Sequence, residues 1–283
     1  MYNNRMPEGK LYIVATPIGN LEDITLRALR TMREVGVIVS EDTRRARILL
    51  EKYGINKVPL SYHEHNKKIM AEKILHFLKE GRDVALISDA GTPGISDPGA
   101  ELVRESRNAG IQVIPVPGPS SIITALSISG IELNFFTFHG FLPHKENARN
   151  RVIEETLCDG GIHVFFEAPH RLIRTLAAVK NISGGSNVFL FKELTKIHEG
   201  VLSGTAGQLL DTVKNFDNIK GEWIIVITGG GEKKTKNTGI AKIIERFLKA
   251  GFTTHEIFDI MDFMKSIPKK IVYTELLKYR NGG

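Results

Sequence analysis

The part of the chain best suited to chemistry is residues 84–99, which read V-A-L-I-S-D-A-G-T-P-G-I-S-D-P-G. Residues 84–88 are apolar enough to form a strand buried on both faces. The remainder combines glycines, prolines and short polar side chains, a composition that disfavours regular structure. Because open α/β sheets bind ligands beyond the carboxyl ends of their strands, this long polar loop is predicted to form a ligand site.

Four other predicted strands also end in polar loops. The loops are T-P-I-G-N at 16–20, E-D-T-R-R at 41–45, H-E-H-N at 63–66 and P-G-P-S-S at 117–121. In a doubly wound sheet the carboxyl ends of the strands share one rim, so these loops are expected to line one cleft together with 89–99.

Several common sites are absent from the sequence. It contains no G-x-x-x-x-G-K-[ST] phosphate loop, no G-x-G-x-x-G after the first strand and no G-x-S-x-G nucleophile motif. The single Cys158 cannot form an internal disulfide, and no Cys/His cluster has the spacing of metal ligands, so no metal site is expected. These features, with no signal peptide or transmembrane segment, predict a cytoplasmic protein that does not contact the membrane.

The elements that must position the loops divide into three regions. Short apolar strands alternate with amphipathic helices over residues 1–130, which predicts a doubly wound, mainly parallel α/β sheet; one helix is expected at 24–35 with Asp23 as its N-cap. Strands are more crowded over 131–231, which predicts a second α/β domain with a mixed sheet. Residues 232–283 are predicted to form a basic linker and a small helical unit, with Pro268 at the first position of the last helix.

Positive charge is concentrated in the last of these regions. Residues 232–283 carry 11 Lys and Arg against 6 Asp and Glu, whereas residues 1–231 carry 27 against 26. A nearly neutral body with a basic tail makes the tail a candidate polyanion contact, although a merely solubilising lysine-rich end explains the same asymmetry.

Five ordered strings resemble the tetrapyrrole methylase superfamily, and more narrowly its branch that methylates the ribose 2′-OH of a cytidine in the decoding centre of 16S rRNA. They are V-A-T-P-I-G-N-L-E-D, S-E-D-T-R, S-D-A-G-T-P-G-I-S-D-P-G, P-V-P-G-P-S-S and F-E-A-P-H-R, within about residues 10–230. The resemblance implies two α/β domains with S-adenosylmethionine between them, a homodimer, and 16S rRNA in the small ribosomal subunit as partner. The T-P-I-G-N loop departs from the Gly-x-Gly-x-Gly-Asp form of the corrin-pathway enzymes, which argues against a tetrapyrrole substrate.

The resemblance also implies roles for residues at the matching positions. The cofactor contacts would be Asp89, Gly91, Thr92, Pro93, Gly94, Ser96, Ser120, Ser121, Glu193, Thr195 and Glu222. The substrate contacts would be Thr16, Pro17, Gly19, Asn20, Arg44, His65, His170 and Arg171, and the charge of the basic tail adds Lys269 and Lys270 as candidate phosphate contacts. A ribose hydroxyl attacks well only when its proton is accepted, and the candidate acceptors are Glu41, Asp42 and Glu167, followed by His65 and His170.

Other interpretations remain open at this stage. Each of these side chains also fits a helix cap or an ion pair at the start of a helix. A methyltransferase acting on a corrin precursor or on a protein is the alternative enzyme, and a non-catalytic RNA- or ribosome-binding factor is the alternative outside catalysis. Cofactor binding separates the enzymes from the binding factor.

Overall fold

The first half of the chain forms a parallel five-stranded sheet. In the computed structural model, which describes residues 8–159, 161–229, 237–263 and 269–280, its strand order is β3-β2-β4-β1-β5. The strands are β1 (Leu11–Val14), β2 (Val37–Ser40), β3 (Leu60–Ser61), β4 (Val84–Ile87) and β5 (Val113–Val116). The loop that follows β4 therefore leaves from the middle of the sheet, where neighbouring strands flank it.

Helices cover both faces of this sheet. They are α1 (Leu26–Glu34), α2 (Thr43–Lys52), α3 (Lys67–Lys79), α4 (Gly99–Asn108) and α5 (Ser121–Ser127). Along β4, Ala85 and Ile87 pack with α1 and α2, whereas Val84 and Leu86 pack with α3 and α4. Because successive strand residues point to opposite faces, a wholly apolar strand is the expected centre of such a sheet. The predicted doubly wound architecture is confirmed.

Two local predictions are corrected by the structure. Asp23 is not the N-cap of α1, because residues 21–23 form a separate 3₁₀ turn; Thr25 is the cap, and its Oγ1 accepts a hydrogen bond from the Ala28 N–H at 3.1 Å. The third strand, predicted over residues 58–62 before the loop at 63–66, is shorter than expected: it spans Leu60–Ser61 at the sheet edge, where it pairs with β2.

The second half forms a mixed sheet, as expected, with the order β6-β7-β10-β8-β9. The elements are β6 (Thr137–Phe141), α6 (Glu146–Asp159), β7 (Ile162–Glu167), α7 (Leu172–Ile182), β8 (Asn187–Lys192), β9 (Gly200–Thr205), α8 (Ala206–Lys214) and β10 (Trp223–Thr228). Only β6 and β7 are parallel; the other pairs are antiparallel. One face packs on α7 and α8, and the other packs on α5 of the first half, so α5 joins the two sheets.

Three further helices make a separate small cluster: α9 (Asn237–Lys249), α10 (Thr254–Phe263) and α11 (Lys269–Arg280). Their buried residues are Ile244, Ile257, Met261, Val272 and Leu276. Most of the predicted linker and Pro268 lie outside the described residues. Among the described helices, none combines the length and the apolar character that crossing a bilayer requires.

Candidate active site

A cleft of about 470 Å³ lies between the two sheets and is lined by both. Its acidic side chains are Glu41, Asp89 and Asp97 from the first half, and Glu167, Glu193 and Glu222 from the second. Its aromatic side chains are Phe141, Phe166, Phe191 and Trp223. Carboxylates beside aromatic rings form an environment that favours an organic cation.

The loop after β4 is held rigidly at the mouth of this cleft. The Asp97 carboxylate accepts hydrogen bonds from the N–H groups of Gly94 and Gly99, which closes the loop on itself. A side chain at Gly99 would put a Cβ 2.8 Å from the Gly94 nitrogen, so this close approach requires glycine. Ser96 has a φ of 64°, a strained conformation for a non-glycine residue of the kind that clusters at functional sites.

The loop after β1, residues 16–20, is joined by an antiparallel bridge to the loop after β4, residues 88–98. We call these the first loop and the β4 loop. Thr16 donates its N–H to the Gly91 carbonyl at 2.9 Å, and Gly91 donates back to the Thr16 carbonyl at 3.0 Å. The Thr16 hydroxyl also donates to the Ser88 carbonyl at 2.8 Å, at the end of β4. The two loops therefore form one backbone unit, as their common place on the sheet rim predicts.

Glu41 follows β2 and has a perturbed electrostatic environment. Its pKa is raised by partial burial and by the nearby carboxylates of Asp89 and Asp97, against smaller opposing effects of His63 and Arg45. Asp89 is itself oriented, because its Oδ1 accepts a hydrogen bond from the Asp42 N–H at 2.9 Å. A carboxylate with a raised pKa in a cleft has the property required of a general base.

Asp42 has a different environment. It is the N-cap of α2 and accepts hydrogen bonds from the Arg44 backbone N–H at 2.8 Å and from the guanidinium at 2.7 Å and 3.0 Å. These contacts hold the pKa of Asp42 far below its usual range. Asp42 and Arg44 thus satisfy each other at the start of a helix, and the Arg44 side chain is 85% exposed.

Glu167 and Arg171 form a buried ion pair at the back wall of the cleft. Arg171 Nε lies 3.1 Å from Glu167 Oε1, and the Thr175 hydroxyl donates to Oε2 at 2.6 Å. Arg171 also donates to the carbonyls of Leu142 at 2.5 Å and Pro143 at 3.1 Å. The pair therefore ties the segment after β6 to the end of β7, and both of its side chains are buried.

On the opposite wall, Lys196 bridges two glutamates. Its Nζ lies 2.9 Å from Glu193 Oε1 and 3.1 Å from Glu222 Oε2. Burial tends to raise the pKa of Glu193, but the Glu222 N–H and Lys196 outweigh it, and the net effect is a lowered pKa. Glu193 and Thr195 have φ values of 49° and 65°, so this segment is strained in the same way as Ser96.

The two halves approach each other closely at Gly19. A Cβ there would lie 2.5 Å from Lys196 Cγ, 2.6 Å from Thr195 Oγ1 and 2.8 Å from the Leu194 carbonyl oxygen. The next residue, Asn20, donates its N–H to Thr195 Oγ1 at 2.9 Å and caps the 3₁₀ turn through its side chain. The T-P-I-G-N loop is thus an interdomain contact.

The residues predicted from the sequence fall into three groups. One cleft brings together Glu41, Asp89, Ser96, Ser121, Glu167, Glu193 and Glu222. Adjoining cavities are lined by Thr16, Pro17, Gly19, Asn20 and Thr195. The rest lie elsewhere or make supporting contacts. The β4 loop contains Gly91, Thr92, Pro93 and Gly94, and Thr92 Oγ1 donates to the Pro119 carbonyl at 3.4 Å. Ser120 is the N-cap of α5 but makes no side-chain cap bond, and His65 and His170 are exposed. Lys269 and Lys270 begin α11, and their side chains lie outside the described residues.

Sequence reasoning missed other residues in and beside the cleft. Asp97 closes the β4 loop, Lys196 joins Glu193 to Glu222, and the aromatic residues supply the apolar walls. Asp97 had a usable signal, because an Asp before Pro-Gly is typical of a turn that bonds its own backbone. The aromatic residues had no such signal, because in the sequence they look like ordinary buried residues of a strand.

The fold and this cleft agree with the comparisons to known proteins. The profile of the Tetrapyrrole (Corrin/Porphyrin) Methylases matches residues 10–210. The chain belongs to this family. Its fold is similar to the crystal structure of uroporphyrin-III-C-methyltransferase from Thermus thermophilus, with a TM-score of 0.53, 21% identity, and coverage of 78% of this chain and 94% of that one.

Sequence relatives point to one branch of the family. The chain is 40% identical to Ribosomal RNA small subunit methyltransferase I of Halalkalibacterium halodurans over 96% of both chains. It is 47% identical to the protein of that name from Thermotoga maritima, over 78% of this chain and 99% of the relative, and 44% identical to that from Escherichia coli O157:H7, over 78% of each. The resemblance inferred from the sequence is confirmed, and the chain is a methyltransferase of this family.

Proposed function

We propose that the protein transfers a methyl group from S-adenosylmethionine to the ribose 2′-OH of a cytidine in the decoding centre of 16S rRNA. The observation that carries the proposal is the cleft between the sheets, with its carboxylates, aromatic rings and rigid β4 loop. The names of the relatives, all ribosomal RNA small subunit methyltransferase I, support the choice of acceptor. Small ribosomal subunits are the proposed partner, the cytoplasm the proposed location, and a homodimer the proposed assembly.

The chemistry of the cleft fits this cofactor. S-adenosylmethionine carries a sulfonium and an ammonium, which carboxylates and aromatic faces attract, and its adenosine needs an apolar wall. A cleft of about 470 Å³ is within the range of small-molecule sites. When bound, the cofactor supplies an electrophilic methyl group.

Each wall of the cleft has a proposed part in binding. Asp89 faces the ammonium, and the loop from Gly91 to Ser96, with Thr92, Pro93 and Gly94, holds the methionine part through its backbone groups. Ser120 and Ser121 contact the cofactor from the start of α5. Glu193, Thr195 and Glu222 hold the adenosine from the second half. Because the strained residues and close approaches are already formed, this site is preorganised.

Glu41 is the proposed proton acceptor. The three carboxylate candidates from the sequence differ in their environments: Asp42 is paired with Arg44, and Glu167 accepts bonds from Arg171, Thr175 and a backbone N–H. Glu41 has the raised pKa of a better base. As the hydroxyl oxygen bonds to the methyl carbon, the bond from that carbon to the sulfonium sulfur would break, and the hydroxyl proton would pass to the Glu41 carboxylate.

The acceptor side is proposed to be the first loop and its surroundings. The cavities beside the cleft are lined by Thr16, Pro17, Gly19 and Asn20. Three exposed residues, Arg44, His65 and His170, lie close in sequence to residues of the cleft or of its neighbouring loops. Arg171 supports this side through the contacts given above. Lys269 and Lys270 in the basic tail are proposed to contact phosphates, where charge dominates affinity.

The test is transfer of radiolabelled methyl from S-adenosylmethionine to small subunits isolated from cells lacking the gene, followed by nuclease mapping. Label on one ribose 2′-OH of a decoding-centre cytidine is the expected result. Cofactor binding with no label in RNA would contradict the acceptor and favour a corrin precursor or a protein. No cofactor binding would favour a binding factor.

A further inference from the structure

A groove continues from the cleft between the sheets. A cavity of about 250 Å³ shares Ser88, Asp89 and Glu222 with the cleft, so the two lie side by side. A third cavity, of about 620 Å³, shares Gly19 and Lys196 with the second. We call these two cavities the α2 groove, because α2 forms one wall along both.

The α2 wall presents alternating charge and apolar surface. Arg45 and Ile48 line the cavity next to the cleft, and Lys52 lines the outer one. Positions three, four and seven apart lie on one face of a helix, so these side chains form one row leading away from Asp89. Ile48 is 60% exposed, so it offers apolar surface to the cavity that it lines.

The opposite wall is the segment after β8, and it presents a matching apolar group. Ile197 lines the outer cavity and is 97% exposed. Its loop is ordered, because Thr195 donates its N–H to Glu199 Oε2 at 2.5 Å and Glu199 donates to the Lys196 carbonyl at 3.0 Å. Ile197 is therefore held out into solvent at the groove by a structured turn.

The neighbouring residues Arg44 and Arg45 of α2 differ in how freely their guanidinium groups can contact a phosphate. Arg44 donates two guanidinium hydrogen bonds to Asp42. Arg45 lies 4.0 Å from Asp89 and its side chain is 59% exposed, so its guanidinium can meet a phosphate at the cleft mouth. Lys196 balances Glu193 and Glu222 on the facing wall, which reduces the repulsion that a phosphate would meet there.

We propose that the α2 groove is the path of the acceptor RNA, entered as a single strand. Arg45 and Lys52 contact phosphates beside the target nucleotide, and Ile48 and Ile197 contact the faces of neighbouring unstacked bases. Apolar contacts of this kind require bases splayed out of a helix, which favours a single strand over a duplex. The inference rests on the proposed rRNA substrate and adds the strand's path and the residues that position it.

The test measures initial rates of methyl transfer to unmodified small subunits for the double variant Arg45→Ala/Lys52→Ala. We expect KM for the subunit to rise about tenfold with kcat within twofold, and the slope of log KM against log salt to fall by about two. Arg47→Ala removes one positive charge from another face of α2, and we expect it to leave KM for the subunit and the salt slope unchanged. The Kd for S-adenosylmethionine should stay within twofold in every variant.

A second variant tests the apolar contact without affecting the fold. Ile197→Ser alters a side chain that is 97% exposed, and we expect KM for the subunit to rise about threefold. If the wild-type protein methylates the subunits and both groove variants behave like Arg47→Ala, the groove inference is wrong while the proposed function stands. A fall in kcat at constant KM would also overturn it. If the wild type binds cofactor but methylates no RNA, both are wrong.

Discussion

At the residue scale, the carboxylates of the cleft are distinguished by what neutralises them. Glu167 is buried against Arg171, and Glu193 is bonded to Lys196 and a backbone N–H. Glu41 instead lies near the carboxylates of Asp89 and Asp97. Similar residues therefore serve different purposes: those with matched partners build the wall, and the one among like charges is suited to bind a proton.

Glu41→Gln is expected to lower kcat by about 100-fold, because an amide cannot accept the hydroxyl proton during transfer. The pH dependence has a definite sign. Glu41 must be ionised to act, and its pKa is raised, so kcat/KM should fall as the pH drops, with its midpoint above the ordinary glutamate value of 4.5. Rates of methyl transfer across pH, with cofactor affinity measured in parallel, check both expectations.

Asp42→Asn is the matched control for that experiment. Asparagine also caps helices, so the fold should persist, and the low pKa of Asp42 means that it stays ionised where Glu41 titrates. The acid limb should disappear in Glu41→Gln and persist in Asp42→Asn. Persistence of the limb in both variants would assign it to another group.

The buried pair makes a stability prediction. Arg171→Met leaves Glu167 buried without its cation, and we expect a loss of about 3–5 kcal/mol in the free energy of unfolding, measured with denaturant. The side chains of Arg171 and Glu167 are 7% and 0% exposed, so solvent screening cannot rescue the single variant. The double variant Glu167→Gln/Arg171→Met should lose less than Arg171→Met alone. An equal or larger loss of unfolding free energy in the double variant would show that the unpaired Glu167 charge does not cause the loss in Arg171→Met.

At the scale of the elements, the site is made where loops from two sheets meet. The first loop reaches the segment after β8 at Gly19, and the β4 loop is closed by Asp97. Neither contact lies within one helix or strand. The elements therefore supply rigid ends, and the contacts between loops determine the shape of the cleft.

Gly19→Ala is expected to separate these loops. Its Cβ would meet the Leu194 carbonyl oxygen at 2.8 Å, and a backbone atom cannot move aside as a flexible side chain can. We expect a loss of about 1–3 kcal/mol of stability, as for other overpacked sites, and weaker binding of S-adenosylmethionine. Thermal unfolding and calorimetry measure the two effects. Gly185→Ala, where the Cβ meets open space, should change neither.

The sequence predicted the elements better than the contacts between them. The apolar run ending at Ile87 identified the central strand because burial on both faces leaves a clear pattern. The positions of the aromatic residues in the cleft, and of Lys196 beside it, were not predictable, because they depend on how the second sheet docks on α5. Asp23 was wrongly chosen as a cap because a 3₁₀ turn before a helix has the same polar composition as the cap itself.

At the scale of the whole molecule, the two sheets are joined through α5, and the basic tail forms its own cluster of buried residues. The relative from Thermotoga maritima is covered over 99% of its length by 78% of this chain, so a protein about a fifth shorter carries the same name. The match to the relative from Halalkalibacterium halodurans covers 96% of both chains, so relatives of this name differ in length by about a fifth.

Removal of residues 230–283 is expected to leave cofactor binding within twofold, because every described residue that lines the cleft comes before residue 230. Affinity for small subunits should fall about tenfold or more at physiological salt, since the tail carries most of the net positive charge. Cofactor calorimetry and subunit binding at several salt concentrations test this. Equal subunit affinity with and without the tail would assign RNA binding to the body alone.

The bridge between Thr16 and Gly91 has a thermodynamic consequence. It links the loop that borders the proposed RNA path to the loop that borders the proposed cofactor site, so ordering one favours the other. By linkage, any factor by which the cofactor tightens RNA binding is the factor by which RNA tightens cofactor binding. A joint of two hydrogen bonds would thereby make each ligand an effector of the other, and the enzyme would hold its methyl donor most firmly when an acceptor is present.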